Sequence, residues 1–155
     1  MKILVAYYSR TGKTEKVAKE ISRILKTDLE EIIDKKKREG IFGFFIGARD
    51  AIKEKVTEIK YKKDPKKYDL IIIGTPFWAQ TITPAIRVYL KNKFKKVAFF
   101  ITSGSDSPEI AFEEMEKLSK KPSATLWLKS SDFEKKEIKT CALIKIKKFC
   151  DEIKK

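Results

Sequence analysis

The chain contains no histidine. Catalytic arrangements that move a proton through an imidazole, Ser-His-Asp and Cys-His among them, are therefore excluded. Cysteine is nearly as scarce, with Cys141 and Cys150 the whole complement. Set nine residues apart on one helix, at roughly 100° per residue, they would face opposite sides and not pair. With no histidine and no close cysteine pair, a zinc site has no ligands to draw on. Long apolar runs are missing too. The longest, Ile41 to Ala48, carries two glycines and falls well short of the roughly 20 residues that span a bilayer. The opening residues MKILVAYYS resemble the start of a signal peptide. Their apolar part is too short, however, and no small-residue cleavage site follows. They read as a first strand, and the protein as cytoplasmic with no membrane span.

Positive charge is abundant. The 36 Lys and Arg outweigh 22 Asp and Glu, a net +14. One reading is an anionic partner: nucleic acid, a membrane surface or an acidic protein. The other is a solvated, heat-stable surface, because abundant Lys, Glu and Ile with few Cys and Met suit a thermophile. No basic block interleaves with aromatics as in nucleic-acid readers, which disfavours nucleic acid. The length of 155 residues and a hydrophobic share of 42% fit a single domain over 1–155 with a real core.

Apolar runs alternate with charged helical stretches. Residues 2–8, 69–74, 97–102 and 123–129 read as buried strands, and 28–34 as a weaker one near an edge. Val17, Ile21, Ile24 and Leu25 mark a helix over 13–26. Thr83 as N-cap with Pro84 opens a second helix, and Ser107-Pro108 opens a third. Ser131 to Glu134 has the spacing of a capping box. A final helix carries Ile138, Ala142, Ile146, Phe149 and Ile153 on one stripe. This pattern predicts an α/β fold of three layers: a five-stranded parallel sheet in order 2-1-3-4-5, with helices on both faces. Between the second and third strands lies a Phe/Gly-rich insertion at about 35–60, with a helix expected over 44–55. It begins with the basic run Lys35 to Arg38 and carries Phe42, Phe44 and Phe45. Those residues fit a flap, a dimer contact or a docking site for an acidic partner. They equally fit a loop packed on its own body.

Ligands of such sheets sit outside the carboxyl ends of the strands. Three loops emerge there: Ser9–Thr14, Thr75–Thr81 and Ser103–Ser107. The first feeds a helix N-terminus, where unpaired N–H groups and the helix dipole favour an anion. Ser9, Thr11 and Thr14 add hydroxyls, and Gly12 lets a ligand approach the backbone. A Walker loop would need a further glycine at position 7, which is Tyr7. The loop is therefore too short to wrap a triphosphate and suits one phosphate. In the second loop, Phe77 and Trp78 fall where solvent should begin, and an aromatic there suits stacking on a flat ring. It also suits a Trp folded over the core edge. The third, TSGSDS, offers backbone groups with a glycine for close approach.

SRTGKT after the first strand resembles the flavodoxin phosphate loop, and GTPFWAQTITPAIRVYL resembles the second flavin loop and following helix of that family. The Phe/Gly-rich segment is similar to those of short archaeal and bacterial flavodoxin-domain proteins. The resemblance spans essentially the whole chain. It implies FMN as cofactor, with Ser9, Arg10, Thr11, Gly12, Lys13 and Thr14 around its phosphate. Pro76, Phe77, Trp78 and Ala79 would border the isoalloxazine, Trp78 as stacking partner, with Thr102, Ser103, Gly104 and Ser105 on the other side. No catalytic residue and no metal are implied. Two departures stand out: the third loop lacks the second stacking aromatic, and the chain is basic where familiar flavodoxins are acidic. The implied role is an electron carrier between redox partners, one of them acidic and ferredoxin-like, with a homodimer left open. The alternative is an FMN-dependent NAD(P)H:flavin or quinone oxidoreductase, for which the third loop leaves room over the ring.

Overall fold

The computed structural model describes residues 1–35, 57–78, 80–104, 107–135 and 137–155. Strand β1 (Ile3–Tyr7) leads into helix α1 (Lys13–Leu25) and strand β2 (Asp28–Glu31). After these come β3 (Ile33–Asp34), β4 (Ile59–Lys60), β5 (Leu70–Trp78) and β6 (Thr81–Ile82). Helix α2 (Pro84–Leu90), strand β7 (Lys96–Ser103) and helix α3 (Pro108–Leu118) lie next in the chain. The last part holds β8 (Thr125–Lys129), a 3-10 turn over Ser130–Asp132, β9 (Phe133–Glu134), β10 (Glu137–Ile138) and α4 (Thr140–Lys154).

The main sheet runs β2-β1-β5-β7-β8 with all neighbours parallel. Counting these long strands alone gives the expected order, 2-1-3-4-5. The sheet has a sixth member, because β6 folds back antiparallel on β5. The central strands β1, β5 and β7 form because their side chains are apolar on both faces. Ile71, Ile73, Phe99 and Ile101 share one buried layer with Ala85, Ile86 and Tyr89 of α2 and Ala111 and Met115 of α3. Ile72, Ala98 and Phe100 share the other with Val17 and Ile21 of α1 and Ala142, Ile146 and Phe149 of α4. Each helix presents one such stripe at 3.6-residue spacing. Helix α1 stops where Lys26 takes a left-handed conformation (φ 50°) and returns its N–H to the Ser22 carbonyl.

Several expectations are corrected. Thr83 precedes Pro84 as expected, but no side chain caps α2; the Thr83 hydroxyl pairs instead with that of Thr75, 3.0 Å away. No side-chain cap closes α3 at Ser107 either. The Ser131–Glu134 pattern does not start a helix. Asp132 accepts from the Lys129 N–H at 2.9 Å and pairs with Lys145 at 2.9 Å, which builds a turn. Ile138 leaves the helical stripe and pairs with Phe133 in the β9–β10 hairpin. Residues 36–56, which carry most of the insertion and its expected helix over 44–55, lie outside the described residues. The two ends of the insertion do meet: β3 pairs with β4 antiparallel, Lys35 N–H donates to the Glu58 carbonyl at 2.9 Å, and Thr57 donates to Asp34 at 2.6 Å.

The two cysteines face opposite ways, Cys141 exposed and Cys150 buried, and both are free thiols. Burial pushes the Cys150 thiol up to about 11, so little reactive thiolate forms there. A chromogenic disulfide reagent at pH 8 should modify one thiol per native chain and two in denaturant. Two modified at once without denaturant would contradict the packing of α4.

Candidate functional site

The carboxyl ends of β1, β5 and β7 gather three segments. The first begins where β1 ends. Gly12 sits before α1 with φ 87° and ψ −9°, a left-handed conformation that an L side chain adopts only with strain. A Cβ there would meet nothing within 4 Å, so the space above Gly12 is open to a ligand. No side chain caps α1, and its first-turn N–H groups have no partner within the helix. The Gly12 N–H donates to Ser9 Oγ at 3.2 Å, which leaves the Ser9 hydroxyl hydrogen for another acceptor. Thr11 is exposed, and Ser9, Arg10 and Lys13 are half-buried. Lys13 Nζ stands 5.3 Å over the Phe133 ring. Thr14 is buried, and its hydroxyl lies 2.7 Å from that of Thr102. That contact joins the first segment to the end of β7. Burial, reinforced by Glu31, Glu15 and Glu30, pushes the nearby Tyr7 phenol well above its ordinary range.

The second segment is not the plain loop expected from the sequence. Strand β5 continues through Trp78, and β6 returns beside it with Phe77 opposite Ile82 and Trp78 opposite Thr81. Pro76 is tolerated inside this strand for a physical reason. The Gly74 carbonyl accepts from Tyr8, so alternate residues of β5 turn their main chain towards β1. Pro76 turns the same way, past the end of β1, where no ladder partner needs its missing N–H. Phe77 does not sit at the solvent boundary. It is 6% exposed and packs in the core layer with Ile82 and Ile86, so it roots the hairpin. Ala79 and the Trp78 side chain lie outside what is described. Gln80 takes a left-handed turn with φ 60°.

The third segment places Thr102 and Ser103, each 6% exposed, at the end of β7. Gly104 is exposed, and Ser105 lies outside the described residues. Trp127, which the sequence did not single out, donates its indole N–H to Ser103 Oγ at 3.1 Å. Ser130 donates to the Ser103 carbonyl at 3.4 Å. Both residues follow from the register of β7 on β8 (Ile101 opposite Trp127, Ser103 opposite Lys129), which no local signal reveals. Arg87 and Glu114, which pair across two helices, likewise carry no local signal.

Among the described residues no group of acidic or thiol ligands is assembled for a metal ion, and no helix is long and apolar enough to cross a membrane. The donor set is instead that of a phosphate cradle: open space over a left-handed glycine, a helix N-terminus, hydroxyls and a lysine. A family model described as flavodoxin matches residues 2–141. Among solved structures, the chain is similar to a flavoprotein from Lactobacillus acidophilus NCFM in complex with FMN, at 27% identity and TM-score 0.70, covering 81% of this chain and 92% of that one. It is similar in fold to oxidised flavodoxin 2 from Bacillus cereus, at 22% identity and TM-score 0.59, covering 99% and 98%. A flavodoxin from the domain Archaea matches at 16% identity and TM-score 0.54, covering 99% and 96%. No curated protein matches the chain.

Proposed function

Since the chain belongs to the flavodoxin family, we propose that it binds FMN at the carboxyl end of its sheet and carries electrons between redox partners. The observation that carries this reading is the joint between Thr14 and Thr102 at 2.7 Å, which brings an open helix N-terminus to the mouth of the central strands. Ser9, Arg10, Thr11, Gly12, Lys13 and Thr14 would hold the phosphate. Backbone N–H groups and hydroxyls supply hydrogen bonds, and Arg10 and Lys13 offset the charge. Pro76, Phe77, Trp78 and Ala79 on one side, and Thr102, Ser103, Gly104 and Ser105 on the other, would border the ring system. FMN, when bound, supplies one- and two-electron chemistry. The chain's own part is to bind it, hold it at the strand ends and set the surrounding charge. The similarity to an FMN-bound flavoprotein supports this reading.

The net +14 favours an acidic protein partner, ferredoxin-like in charge. A second reading, an FMN-dependent NAD(P)H oxidoreductase acting on flavins or quinones, draws on the absence of any aromatic in residues 102–107, which leaves one ring face for a substrate.

Titration with FMN followed by stepwise dithionite reduction tests both. A stable one-electron state on bound flavin, without oxidation of NAD(P)H, is expected of the carrier. Direct two-electron reduction with NAD(P)H consumption would replace it with the reductase. Because reduced FMN is an anion and the protein is basic, the second couple should be less negative than that of acidic flavodoxins. An equally negative couple would remove that role for the charge.

A further inference from the structure

The β5–β6 hairpin has a short ladder of its own. Its β5–β6 ladder has two residue pairs, Phe77 with Ile82 and Trp78 with Thr81, and so short a ladder is marginal on its own. Its turn includes Gln80, a non-glycine residue in left-handed conformation, which is disfavoured and persists only when its surroundings impose it. Phe77 fixes the rising strand in the core. The returning strand buries Ile82 in the same layer, and its polar groups at Thr81 and Ile82 are held from outside the hairpin. Glu114 of α3 takes two hydrogen bonds on Oε2, from the Thr81 hydroxyl at 2.8 Å and the Ile82 N–H at 3.1 Å. Arg87 of α2 completes the cluster: its guanidinium pairs with Glu114 Oε1 and donates to the Thr81 hydroxyl. The Arg87 and Glu114 side chains are 11% and 20% exposed, so water competes weakly and loss of either leaves a poorly solvated charge.

We infer that Glu114, held by Arg87, is a positioning residue that latches the β5–β6 hairpin to α3 and thereby sets how tightly the site holds the flavin ring. The inference rests on the proposed FMN site. Glu114 is itself outside the proposed set of flavin contacts; it bonds the returning strand at Thr81 and Ile82 and acts through it. A carboxylate suits the task because one oxygen accepts from a hydroxyl and an amide while the other forms an ion pair with the guanidinium.

The test pairs a measurement on the latch with one on the ligand, in the full chain. Amide hydrogen exchange at Ile82 is followed by NMR without ligand, and FMN dissociation constants are measured for wild type, Glu114→Ala and Glu114→Gln. Tyr68→Phe serves as the control. It removes a buried hydroxyl's bond to Asp28, 2.7 Å long, at the opposite end of the sheet. Glu114→Ala should speed Ile82 exchange at least tenfold and weaken FMN about tenfold. Glu114→Gln, which keeps an acceptor oxygen, should recover most of both. Tyr68→Phe should lower the melting temperature without either change. Faster exchange with unaltered FMN affinity would overturn the positioning role, and unaltered exchange would overturn the latch. A wild-type chain that takes up no FMN would overturn the flavin reading instead, and the exchange arm would still decide whether Glu114 holds the hairpin.

Discussion

Gly74→Ala should destabilise the protein by roughly 2–4 kcal/mol, more than an added methyl costs at most core positions. A Cβ on Gly74 would stand 1.9 Å from Phe100 Cζ and 2.3 and 2.4 Å from its two Cε atoms. Nothing at that position yields easily. Gly74 lies mid-sheet between Tyr7 on β1 and Phe100 on β7, and Phe100 is fully buried in the layer under α1 and α4. The ring of Phe100 occupies the volume that a side chain would claim. For a chain of this size the loss corresponds to a fall of about 4–16 °C in Tm. Thermal unfolding checks it, and Gly74→Ala combined with Phe100→Leu should recover at least 1 kcal/mol of the loss, the signature of coupled neighbours. Gly104→Ala is the contrasting case. Its nearest contact would be Ser130 Oγ at 3.7 Å, and stability should change by less than about 0.5 kcal/mol. If both glycines tolerate alanine equally, the packing of Phe100 over Gly74 is wrong.

The second large effect concerns ligand choice. On the proposed reading, FMN should bind at least 100-fold more tightly than riboflavin, since the two differ only in the phosphate. Several charge-assisted hydrogen bonds worth roughly 1.5–3 kcal/mol each, with a favourable helix end, account for such a ratio. Thr14→Val keeps the shape of the side chain and removes its hydroxyl. FMN affinity should fall tenfold or more, riboflavin affinity should stay within about twofold, and Thr14→Ser should restore the preference. The same change deprives the Thr102 hydroxyl of its partner at 2.7 Å, so a stability loss of about 1–2 kcal/mol accompanies it. Calorimetric titration with both ligands is decisive. Equal weakening of FMN and riboflavin would move the phosphate away from α1.

The parts of this molecule that were legible in its sequence are those fixed by local pattern. Ile71 to Ile73 and Val97 to Ile101 announce buried parallel strands because both faces are covered, and three hydroxyls around Gly12 at the start of a helix raise the expectation of an anion cradle. The parts that were not legible depend on partners distant in the chain. Ser131 to Glu134 has the letters of a capping box, yet Asp132 is claimed by Lys129 and Lys145. Ile138 fits a helical stripe but also fits opposite Phe133, and the hairpin wins. Phe77 follows a strand and looked like the start of a loop. Its burial depends on β5 continuing beyond Gly74, which β7 supports by pairing Pro76 with Thr102. Glu114 sits 32 residues from the amide it accepts, and nothing near it in sequence sets it apart from other helix-surface glutamates.

The hydroxyl pair of Thr14 and Thr102 also bears on the order of events in the life of the chain. It spans 88 residues and is buried, so it closes only when α1 has docked on the sheet beside β7. On the proposed reading, this joint of the receptor is closed by the polypeptide's own groups rather than by its guest. Loading would then meet two segments already joined, and the entropic cost of bringing α1 to the end of β7 is met during folding.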